Sequence, residues 1–201
     1  MVRLAVSCVA ILFPLFAMAD YTNTGVQIEC LTSKNEVRFS AQTLTSEPAL
    51  WAAAPEGERA RFLRDARARN FYLEGAFDHS CKLRGAEVRV WGEIFEPSER
   101  GECGADPGGK IYMSINGIPV LHFMNIGNRC FPSLWRAALS IRHGSAGEPA
   151  RLVLCGFKRF AVWSGKEPKC ATRSAPLAPP ANGKPRQPFY QDEIERIVGA
   201  G

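Results

Sequence analysis

The sequence predicts a mainly β fold: a disulfide-stapled antiparallel sandwich or barrel of about eight strands, with one amphipathic helix and a proline-rich C-terminal tail. Three observations carry this expectation. Short runs with period-two apolar alternation recur along the chain, separated by turn-forming residues. Asn116-Gly117 sits between two β-prone runs, and both residues tolerate the positive φ that a type I′ hairpin turn demands. Six cysteines follow a segment with the pattern of an export signal.

That segment is Met1 to Ala19. Arg3 provides the positive start, Leu4 to Phe16 the apolar stretch, and Ala17-Met18-Ala19 an A-x-A cleavage site before Asp20. The apolar stretch is too short to span a bilayer, and Ala5-Val6-Ser7 before Cys8 is a poor lipid-attachment signal. The chain is therefore expected to be exported, to the periplasm or the medium, and not to span a membrane. Cleavage would remove Arg3 and no acidic residue, taking the formal charge from +5 to +4 (5 − 1). So mild a charge, without a clustered basic patch, does not imply a nucleic-acid partner, and none is expected.

Cleavage would also leave Cys30, Cys81, Cys103, Cys130, Cys155 and Cys170. An even number in an oxidising compartment points to three disulfides. Cys103 with Cys130 is the first expectation, because the two bracket the central hairpin. Closing a loop of about 27 residues stabilises by roughly 3.5 kcal/mol on the chain-entropy account. Cys30 with Cys81 and Cys155 with Cys170 complete the set. No C-x-x-C occurs, and no histidine stands at ligand spacing from a cysteine, so neither a metal nor another cofactor is expected.

One globular domain is expected over residues 20–170, large enough for a single core. Gly25–Leu31 and Glu36–Thr43 form a first hairpin with Thr32-Ser33-Lys34-Asn35 as its turn, and Val37, Phe39 and Ala41 alternate with polar neighbours. Pro55 then opens a helix over Glu56–Arg69, acidic at its start and arginine-rich later, with Phe62, Leu63 and Ala66 on the face to be buried. A strand pair follows around Cys81. Its second member alternates most cleanly, with Val88, Val90 and Ile94 inward.

In the central hairpin, a two-residue loop sets Ile115 opposite Ile118, Met113 opposite Val120 and Ile111 opposite His122. One face would then carry Ile111, Met113, Ile115, Ile118 and Val120. The other would carry Tyr112, Ser114, Pro119, Leu121 and Phe123. Pro119 has no N–H for an outer neighbour, so its strand should be a sheet edge, or bulged there. Ala137–Arg142, Arg151–Cys155 and Lys158–Trp163 are the remaining expected strands. Residues 171–188, with five prolines from Pro176 to Pro188, form a tether, and residues 189–201 hold a short helix.

Catalytic motifs are absent. The glycine-rich loop Gly101–Lys110 lacks both phosphate-binding patterns and leads into a strand, not a helix. His79, His122 and His143 have no G-x-S-x-G partner, and paired cysteines are not nucleophiles. Glu93, Glu96, Glu99, Glu102 and Asp106 cluster in sequence and could supply a carboxylate pair for hydrolysis. The preferred expectation is a non-enzymatic module that binds another protein or an envelope component. Glu102, Asp106, Lys110 and Pro119 are its candidate contact residues. Periplasmic inhibitors and immunity proteins share this general build, an analogy of architecture alone. A second reading makes the chain an envelope assembly component acting through its tail; a third, a carboxylate hydrolase.

Overall fold

A computed structural model describes residues 23–44, 56–95, 108–128, 130–141, 149–159, 166–175, 177, 188 and 195–196 of the chain. These residues form ten strands in two antiparallel sheets and one α-helix. In chain order the strands are β1 (Asn23–Leu31), β2 (Glu36–Leu44), β3 (Phe71–Tyr72), β4 (Gly75–Leu83) and β5 (Ala86–Ile94). They continue with β6 (Gly109–Ile115), β7 (Ile118–Met124), β8 (Ser133–Ser140), β9 (Ala150–Phe157) and β10 (Lys169–Ala175). Sheet A runs β10-β9-β8-β2-β1-β3 and sheet B runs β4-β5-β6-β7. Both sheets are open, which settles the expected alternatives in favour of a sandwich over a closed barrel.

One apolar core lies between the sheets. Sheet A contributes Val26, Ile28, Val37, Phe39, Ala137, Leu139, Leu152 and Leu154; sheet B contributes Phe77, Leu83, Val88, Val90, Ile111, Met113, Leu121 and Phe123. Each fully buried Val, Leu, Ile or Phe contributes about 1.5–3 kcal/mol relative to exposure. Gly92 marks how tightly sheet B is built. A Cβ there would lie 2.8 Å from Phe77 Cζ and would collide with the Lys110 carbonyl oxygen, so Phe77 takes the space that a side chain would need.

The turns follow their residues. Arg84-Gly85 and Asn116-Gly117 both hold positive φ at two successive positions (49° and 79°; 50° and 78°), giving the two-residue hairpins β4–β5 and β6–β7. Between β1 and β2, Thr32–Lys34 forms a 3-10 turn that ends on Asn35 in the left-handed region. Asn116 does more than turn the chain. Its amide and side-chain oxygen exchange hydrogen bonds with the Glu87 backbone at 2.8 and 2.9 Å. Its Nδ2 donates to the Leu177 carbonyl at 3.1 Å.

The helix α1 (Glu56–Ala68) has the expected span to within one residue. It closes at Asn70, whose positive φ ends the helix and whose carbonyl accepts from Ile28 N–H at the edge of β1. Its expected buried face is only partly formed. Ala66 is 1 % exposed, but Phe62 is 40 % exposed. The helix leans on the two-residue strand β3, too narrow to cover three successive apolar side chains.

Two disulfides hold the frame. Cys30–Cys81 joins β1 to β4, and hence sheet A to sheet B, with 5.9 Å between Cα atoms. Cys155–Cys170 joins directly paired residues of β9 and β10, 4.1 Å apart. Cys130 is buried and also disulfide-bonded. The expected partner Cys103 lies outside the described residues.

Two expectations on strands need correction. The last described strand is Lys169–Ala175; of the expected strand Lys158–Trp163, Lys158 and Arg159 lie outside any strand and residues 160–163 lie outside the described residues. Residues 171–175, assigned from sequence to the tether, therefore belong to the sheet, and Ala175 is 3 % exposed. β10 is an edge strand fixed by pairing and a disulfide, so it carries almost no apolar alternation to find. The other correction concerns the central hairpin, which shapes the site.

Candidate functional site

The turn register of the central hairpin is the expected one only for its first two pairs, Ile115 with Ile118 and Ser114 with Pro119. A register shift then intervenes, and Met113 pairs with Leu121, Tyr112 with His122, and Ile111 with Phe123. Val120 is the extra residue of a β-bulge, immediately after Pro119. An unpaired position costs least beside a residue that has no N–H to give. Of the two expected outcomes at Pro119, both occur: β7 is the edge of sheet B, and it is bulged.

One inserted residue exchanges the faces of everything beyond it. Leu121 and Phe123, expected outside, are 1 % and 0 % exposed in the core. His122, expected on the core face opposite Ile111, is carried to the outer face opposite Tyr112. There it completes a row across the sheet: Asp78 on β4, Trp91 on β5, Tyr112 on β6, His122 on β7.

The rings of that row stack. Trp91 and Tyr112 have centroids 5.5 Å apart at 14°, and Tyr112 and His122 have centroids 4.6 Å apart at 25°. The Arg89 guanidinium lies 5.0 Å from the Trp91 ring centre. All three rings are half-buried, standing on the sheet with their faces turned to one another. Half-burial leaves part of each ring as contact surface. Such a ladder offers an amphipathic rim rather than an open platform for a sugar or a base.

Ion pairs flank the row on each side. Arg89 donates to both Asp78 carboxylate oxygens, at 2.9 and 2.5 Å, and this hydrogen bonding holds the Asp78 carboxyl below its usual range and the Arg89 guanidinium above its own. Lys110 Nζ lies 3.0 Å from Glu93 Oε2, which raises the Lys110 pKa by hydrogen bonding. Lys110 also stands 5.6 Å from the Phe95 ring centre. Phe95 and Met124, at the same end of the sheet, are 41 % and 52 % exposed. Two cations and two anions thus neutralise each other around an aromatic row.

The outer face of sheet A differs in kind. It presents Glu29, Arg38, Arg136 and Arg151, all exposed, with Gln27 and Ser40 among them. Arg38 pairs with Glu36, and Arg136 with Glu167 at 3.2 Å. That is an ordinary solvated sheet face.

Of the contact residues expected from sequence, Lys110 lies on the outer face of sheet B beside the aromatic row. Pro119 is exposed on its β7 edge. Glu102 and Asp106 lie outside the described residues. Glu93, considered for carboxylate chemistry, pairs with Lys110; Glu96 and Glu99 lie outside the described residues. Trp91, Tyr112 and His122 escaped the sequence reading as a group. Trp91 and Tyr112 were visible in the polar phase of their strands, an anomaly for large aromatic residues. His122 could not be placed without the bulge.

A further juxtaposition sits at the opposite edge of sheet B. The sulfurs of Cys30 and Cys81 and a ring nitrogen of His79 lie within 4.8 Å of one another. His79 and Cys81 are two apart on β4, and so share a face, a spacing the sequence reading did not count as a ligand pattern. Among the described residues no helix is long and apolar enough to cross a membrane. Comparisons with protein-family models, with curated proteins and with solved structures find no match to this chain.

Proposed function

We propose that this is an exported, non-enzymatic protein-binding module that docks through the outer face of sheet B. The observation that carries the proposal is the contrast between the two outer faces. Both faces carry paired and solvated charges, but sheet B adds the stacked row Trp91, Tyr112 and His122, bordered by Phe95 and Met124. Interface hot spots are enriched in Trp and Tyr, whose large contact area costs little side-chain entropy. Because Asp78–Arg89 and Glu93–Lys110 are internally neutralised, the face suits a partner surface that is itself apolar and uncharged at its centre. The disulfides fit an oxidising compartment, in keeping with the export signal read in Met1–Ala19.

The test uses the full chain as bait in its native compartment, comparing variants at equal folded concentration. Trp91→Ala and Tyr112→Ala each should weaken retention of the partner by about 30-fold or more, the ~2 kcal/mol threshold of a hot spot. Arg151→Ala on the outer face of sheet A should leave retention unchanged. Undiminished retention by the Trp91→Ala, Tyr112→Ala double variant would remove the docking face from sheet B.

A further inference from the structure

We propose that the Cys30–Cys81 edge is a zinc site gated by reduction, with Cys30 Sγ, Cys81 Sγ and a His79 ring nitrogen as its three protein ligands. The three groups come from facing sheets and already lie within 4.8 Å of one another. The disulfide fixes the two strands with their Cα atoms 5.9 Å apart, a spacing that also lets two thiolates share one tetrahedral ion. His79 reaches the same point because β4 places residues 79 and 81 on one face.

The location makes the disulfide accessible. β4 is the end strand of sheet B. On sheet A, β3 covers β1 only at Val26 and Gln27, and the Asn70 carbonyl takes the Ile28 N–H. No described strand lies beside β1 beyond that point, where Cys30 sits. Cys30 and His79 are half-buried and Cys81 is buried, so of the two cysteines Cys30 is the more open to a reductant.

The chemistry balances with a dithiol as reductant. Its thiolate attacks Cys30 Sγ, the Cys30–Cys81 bond breaks, and Cys81 leaves as a thiolate. The second thiol of the reductant then displaces Cys30, closing its own disulfide. Two electrons and two protons have passed to the protein. Zinc binding releases the two thiol protons, and Zn²⁺ with two thiolates and a neutral imidazole has no net charge, which suits a half-buried position. While the disulfide persists, neither sulfur is a thiolate and the site cannot form. A three-ligand site leaves the fourth position to water.

Cobalt(II), whose thiolate charge-transfer and tetrahedral bands report its ligands, is the probe for the full chain before and after treatment with a phosphine reductant, followed by displacement with zinc. The oxidised protein should show no such bands, and the reduced protein should take up one equivalent. His79→Ala should weaken cobalt more than about 100-fold, beyond what loss of an outer-shell partner costs. Cys170→Ala, which removes the other described disulfide, should leave binding intact. If reduction loosens the fold, far-ultraviolet circular dichroism should show zinc restoring the β signal. Equal binding by His79→Ala, binding abolished by Cys170→Ala, or no restoration by zinc would overturn the proposal.

Discussion

The bulge at Val120 can be tested by two neighbouring alanine substitutions whose costs should be ordered by the register. Phe123 is 0 % exposed and faces Ile111 across the hairpin, in contact with the core between the sheets. Truncating it removes a fully buried ring and leaves a cavity, so Phe123→Ala should cost about 3–5 kcal/mol. His122 is half-buried on the outer face and stacks on Tyr112. Losing that stacking contact should cost about 0.5–1.5 kcal/mol. The gap between the two variants is then about 1.5 kcal/mol or more, readily resolved as a shift in urea midpoint at constant slope. An unbulged hairpin would reverse the order, because it turns His122 inward and Phe123 outward. A larger loss for His122→Ala than for Phe123→Ala would therefore refute the register, and with it the composition of the aromatic row.

Two further outcomes follow from the packing. Ending the chain after Leu177 should leave the sandwich intact, whereas ending it at Cys170 removes most of β10, including buried Ala175, and should lower the melting temperature measured with disulfides oxidised. Equal stability of the two truncations would deny β10 its place in the sheet. Burial lifts the Tyr72 phenol above its ordinary value of about 10, so the native state holds that proton at a pH where the unfolded chain has released it. Stability from this group is complete below about pH 10 and falls as pH rises towards the folded value. Tyr72→Phe should flatten that alkaline decline, and an unchanged decline would assign it to other groups.

The sequence reveals elements wherever burial imposes a period, and hides them wherever something else holds the chain. β5 was legible because Val88, Val90 and Ile94 are buried at alternate positions, with exposed or half-buried residues between them through residue 93. Both two-residue turns were legible in their Asn-Gly and Arg-Gly pairs, although only the first was singled out. β10 was hidden because it is held by backbone pairing to β9 and by Cys155–Cys170. The first half of β8 was hidden because the register shifts between Leu134 and Arg136, so Ser133, Leu134 and Trp135 are all buried and no period survives. On or beside the candidate docking face stand Lys110 and Pro119, two of the contacts expected from sequence. The aromatic row needed knowledge of which phase faces water, and one inserted residue at Val120 had reversed that phase for the last third of the row.

The two described disulfides do different thermodynamic work, and the difference bears on why one of them could serve as a switch. Cys155–Cys170 closes a separation of 15 residues within one sheet, worth about 3 kcal/mol in loop entropy. Cys30–Cys81 closes 51 residues and is worth about 4 kcal/mol on the same account. It is also the described covalent tie between the sheets. Opening it would remove a large fraction of the 5–15 kcal/mol net stability typical of a domain, and it would do so where β1 and β4 meet at an open edge. Zinc held by the three side chains is folding free energy too, and it offsets the lost cross-link to the extent that it binds. The same three side chains can thus close the sandwich edge in two ways, by a bond between sulfurs or by an ion between them. The histidine contributes to the second way alone, which is why His79→Ala separates the two: it should spare the oxidised fold and remove the metal-supported one.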